Sequence, residues 1–374
     1  MQTAASTREH QILIVSDDLT GACDAAVAFA ARGLATRVVL DGPGEPETET
    51  MVTAISTGSR DLSADAAVER LHEVAQRYKR TSFCRIFKKI DSVFRGNTTE
   101  EICAAVRIFA PELCIIAPAY PALGRTSVDG VLHVRDLAGE KKIAALDELR
   151  SKGLHPHPIK PGKSVAKIAA ELQKAIAAEE RSVYCDAVVQ SDLDLVVRAA
   201  DTLGKQILWV GSAGLAHALA AEIPATPQQQ ADAPRGLVLL FIGTAHPVTA
   251  LQLAALRTRC EIAEWPRSDS NCAIVFLVAP GTTEEALRKA TQSIDPQTVS
   301  CLVMTGGETA ALVCSALHIR SIDLQMEFEP GLPHGQARGG ALDGCDVVLK
   351  SGGFGEADVL CRIVERFGSK RGIA

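Results

Sequence analysis

The chain has 374 residues, 47% of them hydrophobic and 22% charged, which is ordinary globular usage and enough for two cored domains. A net charge of −6, from 39 Lys+Arg against 45 Asp+Glu, excludes a strongly basic nucleic-acid binder. No long uninterrupted apolar stretch reads as a membrane span.

The first ten residues lack an apolar core of signal-peptide type, so a cytoplasmic protein is expected. The 11 cysteines fit that expectation: they are odd in number, scattered from Cys23 to Cys361, and never spaced Cys-x-x-Cys. Several, such as Cys114 and Cys301, sit in apolar runs, as reduced buried thiols do.

In chain order, strands are predicted at 11–16, 35–40, 52–56, 83–87, 113–117 and 207–210. Helices are predicted at 24–32, 65–78, 98–108, 165–178 and 192–203, with Thr98-x-x-Glu101 read as a capping box. Residues 222–236 hold three prolines and three consecutive glutamines, a linker composition. This sets an N-terminal domain at 1–223, a linker at 224–236 and a C-terminal domain at 237–374. The second domain is read as strands at 237–242, 273–278, 302–304 and 347–349. Its helices are read at 248–257, after a Thr282-x-x-Glu285 cap, through Leu317 and from Ala357. The alternation implies α/β architecture: two domains, each a mostly parallel sheet flanked by helices. In such sheets ligands collect at the carboxyl ends of strands.

The unusual residues fall at those ends. Asp17 and Asp18 follow the first strand, and adjacent carboxylates are unfavourable unless a cation or hydrogen-bond donor meets them. A capping Asp beside a solvated one is the plainer reading, but it accounts poorly for the pair followed by Thr-Gly. One of them can orient or deprotonate a hydroxyl. The run Lys88-Lys89-Ile90-Asp91-Ser92, followed by Arg95, Gly96 and Asn97, puts three cations and a carboxylate before a helix N-terminus suited to an acidic substrate. Arg60 follows another strand and is either a bidentate carboxylate clamp or a surface-loop arginine. Arg125 follows a rigid Pro-containing loop. His133 and the pair His155 and His157 lack metal-ligand company, the pair is read as loop residues, and Gly211–Ala216 is read as small residues for strand–helix packing.

Three small-residue turns close strands of the second domain. They carry Gly243, Thr244 and His246; Gly306, Gly307, Glu308 and Thr309; and Gly352, Gly353 and Gly355. Three such turns in one small domain suggest backbone N–H groups around phosphates. Neither a Walker A loop nor a dinucleotide Gly-x-Gly-x-x-Gly fingerprint is present. Phosphoryl transfer needs a phosphate cradle, a cation and a positioned hydroxyl, and the two domains offer these between them.

Together these motifs resemble the four-carbon acid sugar kinases. The matching features are Asp17-Asp18-Leu-Thr-Gly21, Ser59-Arg60, Lys88 to Ser92 with Arg95-Gly-Asn97, Ala117-Pro-Ala with Gly124-Arg125, Gly211 to Ala216, Gly306 to Ala310, Pro330 to Pro333 and Lys350 to Gly355. The resemblance implies a sugar-acid-binding N-terminal domain, a nucleotide-binding C-terminal domain and an active site in the cleft between them. It implies transfer from ATP, with Mg²⁺, to the terminal hydroxyl of D-threonate, D-erythronate or 3-oxo-tetronate. By the same resemblance, Asp17, Asp18, Arg60, Lys89, Ile90, Asp91, Ser92, Arg95 and Arg125 would contact the acid. Asp17, Lys89 and Asp91 would carry the chemistry, with Lys89 or Arg125 neutralising the transferring phosphoryl group. The three Gly-rich turns would contact ATP. The implied partner is a small sugar acid rather than nucleic acid or membrane, and a homodimer is left open. Thr244 stands where many members have Ser, Glu308 where many have Asp, and the chain looks short around Arg267–Asn271. A nucleotide-dependent oxidoreductase and a non-catalytic sugar-acid sensor are the alternatives, the first disfavoured by the missing fingerprint.

Overall fold

The computed structural model describes residues 11–40, 50–78, 83–136, 139–162, 164–226, 234–267, 270 and 272–369. The N-terminal decapeptide, linker residues 227–233 and residues 268, 269 and 271 of the short segment lie outside the described residues. The chain forms two compact units, Met1–Ala35 with Gly44–Thr226, and Thr36–Pro43 with Pro227–Ala374.

The first unit opens with β1 (Ile12–Ser16) and α1 (Leu19–Ala30); the next strand, β2 (Thr36–Val39), belongs to the second unit. The first unit continues through β3 (Val52–Ser56), α2 (Ala64–Arg77), β4 (Arg85–Lys89), α3 (Thr98–Phe109) and β5 (Leu113–Ala117). A separate antiparallel sheet follows, β6 (Arg125–Val128), β7 (Val131–Asp136) and β8 (Gly139–Ile143). Then come α4 (Ala145–Ser151), β9 (His157–Ile159), α5 (Val165–Ala177), β10 (Ser182–Cys185), α6 (Gln190–Asp201), β11 (Ile207–Gly211) and α7 (Ala213–Ala221). The main sheet runs β3-β1-β4-β11-β5-β10-β9, every pair parallel. Helices cover both faces, so β1 and β5 are buried along their whole length. Helix α2 shows how: Ala67, Leu71 and Val74 recur at helical spacing on one buried stripe. Full burial of a side chain such as Leu71 contributes about 1.5–3 kcal/mol.

The second unit holds β12 (Leu237–Ile242), α8 (Pro247–Arg259), β13 (Ile262–Glu264), β14 (Ala273–Leu277), α9 (Glu284–Thr291), β15 (Val299–Thr305) and α10 (Gly307–Ala316). It ends in β16 (Ser321–Glu329), β17 (Leu332–Arg338), β18 (Asp346–Lys350) and α11 (Val359–Phe367). Its order is β13-β14-β12-β15-β18-β17-β16-β2. The first five strands are parallel, and β17, β16 and β2 add on antiparallel. Among the described residues no helix is long and apolar enough to cross a membrane.

Several local expectations are corrected. Helix α1 begins at Leu19, five residues before the predicted start, because Asp18 caps it by accepting from Gly21 N at 2.8 Å. Strand β4 runs two residues later than predicted, to Lys89. The capping box at Thr98 does not form: the Thr98 hydroxyl donates to the Arg95 carbonyl at 2.8 Å, and Glu101 turns inward to a lysine. At α9 the cap is Thr283, one residue after the predicted one, accepting from Ala286 N. Of the histidine pair, His157 lies in β9 rather than in a loop, near Glu180. The antiparallel elements β6–β8 and β16–β17 were not predicted.

Candidate active site

The carboxyl ends of the first unit's strands are in register. Ser16 pairs with Ser56 on one side and Lys89 on the other, and Lys89 pairs in turn with Gly211. The segments leaving these ends form one charged network. Arg60 donates from Nε to Asp17 Oδ2 at 2.7 Å and from Nη1 to Asp18 Oδ2 at 2.8 Å. Its Nη2 stands 3.6 Å from Asp91 Oδ2. Burial opposes the guanidinium's charge, but the three carboxylates outweigh it and hold the Arg60 pKa above its ordinary value.

The adjacent aspartates have different work. Asp18 caps α1 and takes the Thr20 hydroxyl at 2.7 Å besides Arg60, so both its oxygens are engaged. Asp17 is 4% exposed, and its Oδ1 has no hydrogen-bond partner. A buried carboxylate oxygen without a donor is costly to leave so. It is held there by the bond Arg60 makes to the other oxygen. The Ser16 hydroxyl beside it is also unpartnered and buried.

Asp91 organises its turn. Its Oδ1 accepts from the backbone N–H of Val93 and Arg95, at 3.0 and 3.1 Å. Its Oδ2 accepts twice from the Arg95 guanidinium, at 3.1 and 2.7 Å. Burial would raise this carboxyl's pKa, but Arg95 and Arg60 hold it well below the usual carboxylate range. Lys89 is buried, and its Nζ uses one proton on the Ile90 carbonyl at 3.0 Å. Ile90 points its side chain into the hydrophobic core, so only its backbone faces this region. Ser92 is half-buried on the same turn. Arg125 is placed on β6 of the other sheet, with Nη1 turned back on the Leu123 carbonyl.

Beneath this network lies a charged layer that the sequence reading did not assign. Lys88 and Glu101 are 1% and 2% exposed and pair at 2.7 Å. Ser59 donates to the other Glu101 oxygen and lies 2.7 Å from the Thr57 hydroxyl. The pair therefore pins the strand end that carries Arg60. A Glu amid Ile102, Ala104 and Ala105 on the buried face of α3 was the available signal. The Gly211–Ala216 stretch serves packing: Ser212 caps α7 and donates to the Ala119 carbonyl.

In the second unit three adjoining strands end level, with Ile242 paired to Thr305 and Thr305 to Lys350. All three Gly-rich turns therefore emerge side by side. They are tightly packed against one another. A Cβ at Gly243 would collide with the Thr309 hydroxyl, and one at Gly352 would lie 2.6 Å from Thr244 Oγ1 and 3.0 Å from His246 Cβ. His246 caps α8, accepting at Nδ1 from Val248 N at 3.3 Å. Gly306 takes φ +95° and starts α10, on which Thr309 is buried and Glu308 exposed. Gly307 is half-buried as the first helical residue. The arrangement is a set of close-packed backbone turns that only glycine permits at these positions.

Known proteins resemble the chain along most of its length. Residues 12–219 match the sugar-binding N-terminal domain model and residues 271–360 the nucleotide-binding C-terminal domain model. The chain is 31% identical to a D-threonate kinase of Bordetella bronchiseptica, over 96% of this chain and 98% of that one. It is 24% identical to a D-erythronate kinase of Heliobacterium modesticaldum, over 95% and 96%. A solved Salmonella typhimurium protein shares the fold, with a TM-score of 0.74 at 20% identity, covering 96% of this chain and 99% of that one.

Proposed function

The chain belongs to the four-carbon acid sugar kinase family, and from that premise we propose that it transfers the terminal phosphoryl group of ATP to the 4-hydroxyl of D-threonate. The enzyme is a phosphotransferase with an alcohol acceptor, and its donor is a nucleotide. D-threonate is preferred over D-erythronate because the D-threonate kinase relative is the more similar, at 31% against 24% identity.

The observation that carries the reading is the orphan Oδ1 of Asp17. It is an acceptor built into a buried site, with the rest of the carboxylate fixed by Arg60. A substrate hydroxyl supplies the missing donor. Asp17 orients that hydroxyl and takes its proton as the new oxygen–phosphorus bond forms and ADP leaves. Arg60 is bonded to Asp17 and Asp18 and faces Asp91 at 3.6 Å, so three carboxylates already balance its charge and its first part is to hold Asp17. The acid's own carboxylate is received by Lys89, which has two protons to spare, and by the Asp91–Ser92 turn that Arg95 braces.

The nucleotide phosphates lie on the turns at Gly243–His246, Gly306–Thr309 and Gly352–Gly355, whose glycines let the three turns pack closely enough to present backbone N–H groups together. Mg²⁺ bound with the nucleotide would neutralise charge on the transferring group. The test is ADP release from Mg-ATP with D-threonate, L-threonate, D-erythronate and 3-oxo-tetronate in turn. Turnover is expected with D-threonate. Silence with all four acids, in protein that still binds ATP, overturns the assignment.

A further inference from the structure

Lys350, the last residue of β18, is fully buried. Its Nζ lies 3.0 Å from the carbonyls of Ser351 and Gly352, 3.1 Å from that of Phe354 and 3.1 Å from the Thr249 hydroxyl. Thr249 in turn donates to the Gly352 carbonyl at 2.7 Å. One helical turn along α8, the fully buried Gln252 donates to the carbonyls of Phe354, Gly355 and Glu356, at 3.0, 2.9 and 3.0 Å. Among the described residues no carboxylate pairs with Lys350, and burial lowers its pKa to about 7. A buried lysine without a carboxylate is expensive for a fold to keep, and here the Nζ bonds to three loop carbonyls and one hydroxyl.

The consequence lies in the peptide plane. In a trans peptide the carbonyl of one residue and the N–H of the next point in opposite directions. Five carbonyls of the loop, those of residues 351, 352, 354, 355 and 356, are drawn toward Lys350, Thr249 and Gln252. The N–H groups of Gly352, Gly353, Gly355, Glu356 and Ala357 are therefore turned away from them. Among the described residues, those of Gly352, Gly353 and Gly355 hold no backbone hydrogen bond.

We infer that Lys350, Thr249 and Gln252 are positioning residues that gather the carbonyls of the 351–356 loop and so aim its N–H groups at the nucleotide phosphates. The inference rests on the nucleotide reading of the second unit. The clamp touches no part of the substrate. It sets the loop's polarity: oxygen inward, N–H outward. Without it, the same glycines would be free to present carbonyl oxygen to an anion, which repels it.

The test measures ATP, ADP and adenosine binding by calorimetry for wild type and three variants, Lys350→Met, Gln252→Leu and Thr249→Val. The last removes one hydroxyl at constant shape, so it keeps the test alive if a bolder variant does not fold. ATP and ADP affinity is expected to fall about tenfold for Lys350→Met and Gln252→Leu and roughly threefold for Thr249→Val. Adenosine affinity and the KM for D-threonate stay within about twofold of wild type, and Thr249→Ser restores binding. A purely structural role would instead lower all affinities and the Tm together. Wild type that binds ATP beside folded variants that bind it equally well overturns the clamp alone. Wild type that binds neither ATP nor ADP overturns the nucleotide reading, and the clamp's role with it.

Discussion

The two units furnish their strand ends by opposite means. In the first, the strand ends carry formal charge: Asp17, Asp18 and Asp91 gathered on Arg60, with Lys89 alongside and Lys88–Glu101 beneath. In the second, the strand ends carry glycine and hydroxyl, and the buried cation, Lys350, is spent on the protein's own carbonyls. The difference fits what each site must do on the proposed function. A small acid whose hydroxyl must be activated needs a fixed carboxylate and a nearby cation. A polyphosphate offers many oxygens, and a row of backbone N–H groups matches them without competing for protons.

The largest effect that separates the two is expected from Asp17→Asn. Steady-state assay should show turnover reduced on the order of 10³-fold, about 4 kcal/mol of barrier, with ATP affinity kept. Next comes Lys88→Met, which strands Glu101 in the core. Urea denaturation should read a loss of about 3 kcal/mol, and the remaining folded protein should still bind ATP. Gly352→Ala sharpens the comparison from the other side, because its Cβ would press on Thr244. The KM for ATP should rise about tenfold while the KM for D-threonate does not move.

The smallest effect is expected from Arg95→Ala. Asp91 is held below its ordinary pKa, so it stabilises the fold fully above the unfolded value and loses that contribution as pH falls through the folded value. Removing Arg95 brings the folded value closer to the unfolded one. The acid midpoint of unfolding should then move up by roughly a few tenths of a pH unit, read by circular dichroism.

Much of this contrast can be read in the sequence, because parallel sheets put functional residues directly after apolar strands. Asp17, Lys89, Gly243 and Gly306 all stand at such junctions. Who bonds to whom is another matter. Asp17 and Asp18 are chemically identical in sequence; only the bonds of Gly21, Thr20 and Arg60 make one a cap and leave the other an open oxygen. The capping box at Thr98 misled because Glu101 finds in Lys88 a buried partner stronger than a helix N–H. Strand β16 was legible after all: Ile322, Leu324, Met326 and Phe328 alternate with polar residues. Its partner β17 is too polar to announce itself. The Lys350 clamp depends on carbonyl directions, which no side-chain pattern records.

The most direct measurement is a pair of calorimetric titrations, D-threonate and ATP each into wild type, Asp17→Asn and Gly352→Ala. The account predicts that Asp17→Asn binds ATP as wild type does, and that Gly352→Ala loses ATP affinity while binding D-threonate unchanged. Loss of ATP binding in Asp17→Asn, or undiminished ATP binding in Gly352→Ala, would contradict the division of labour between the charged strand ends and the glycine turns.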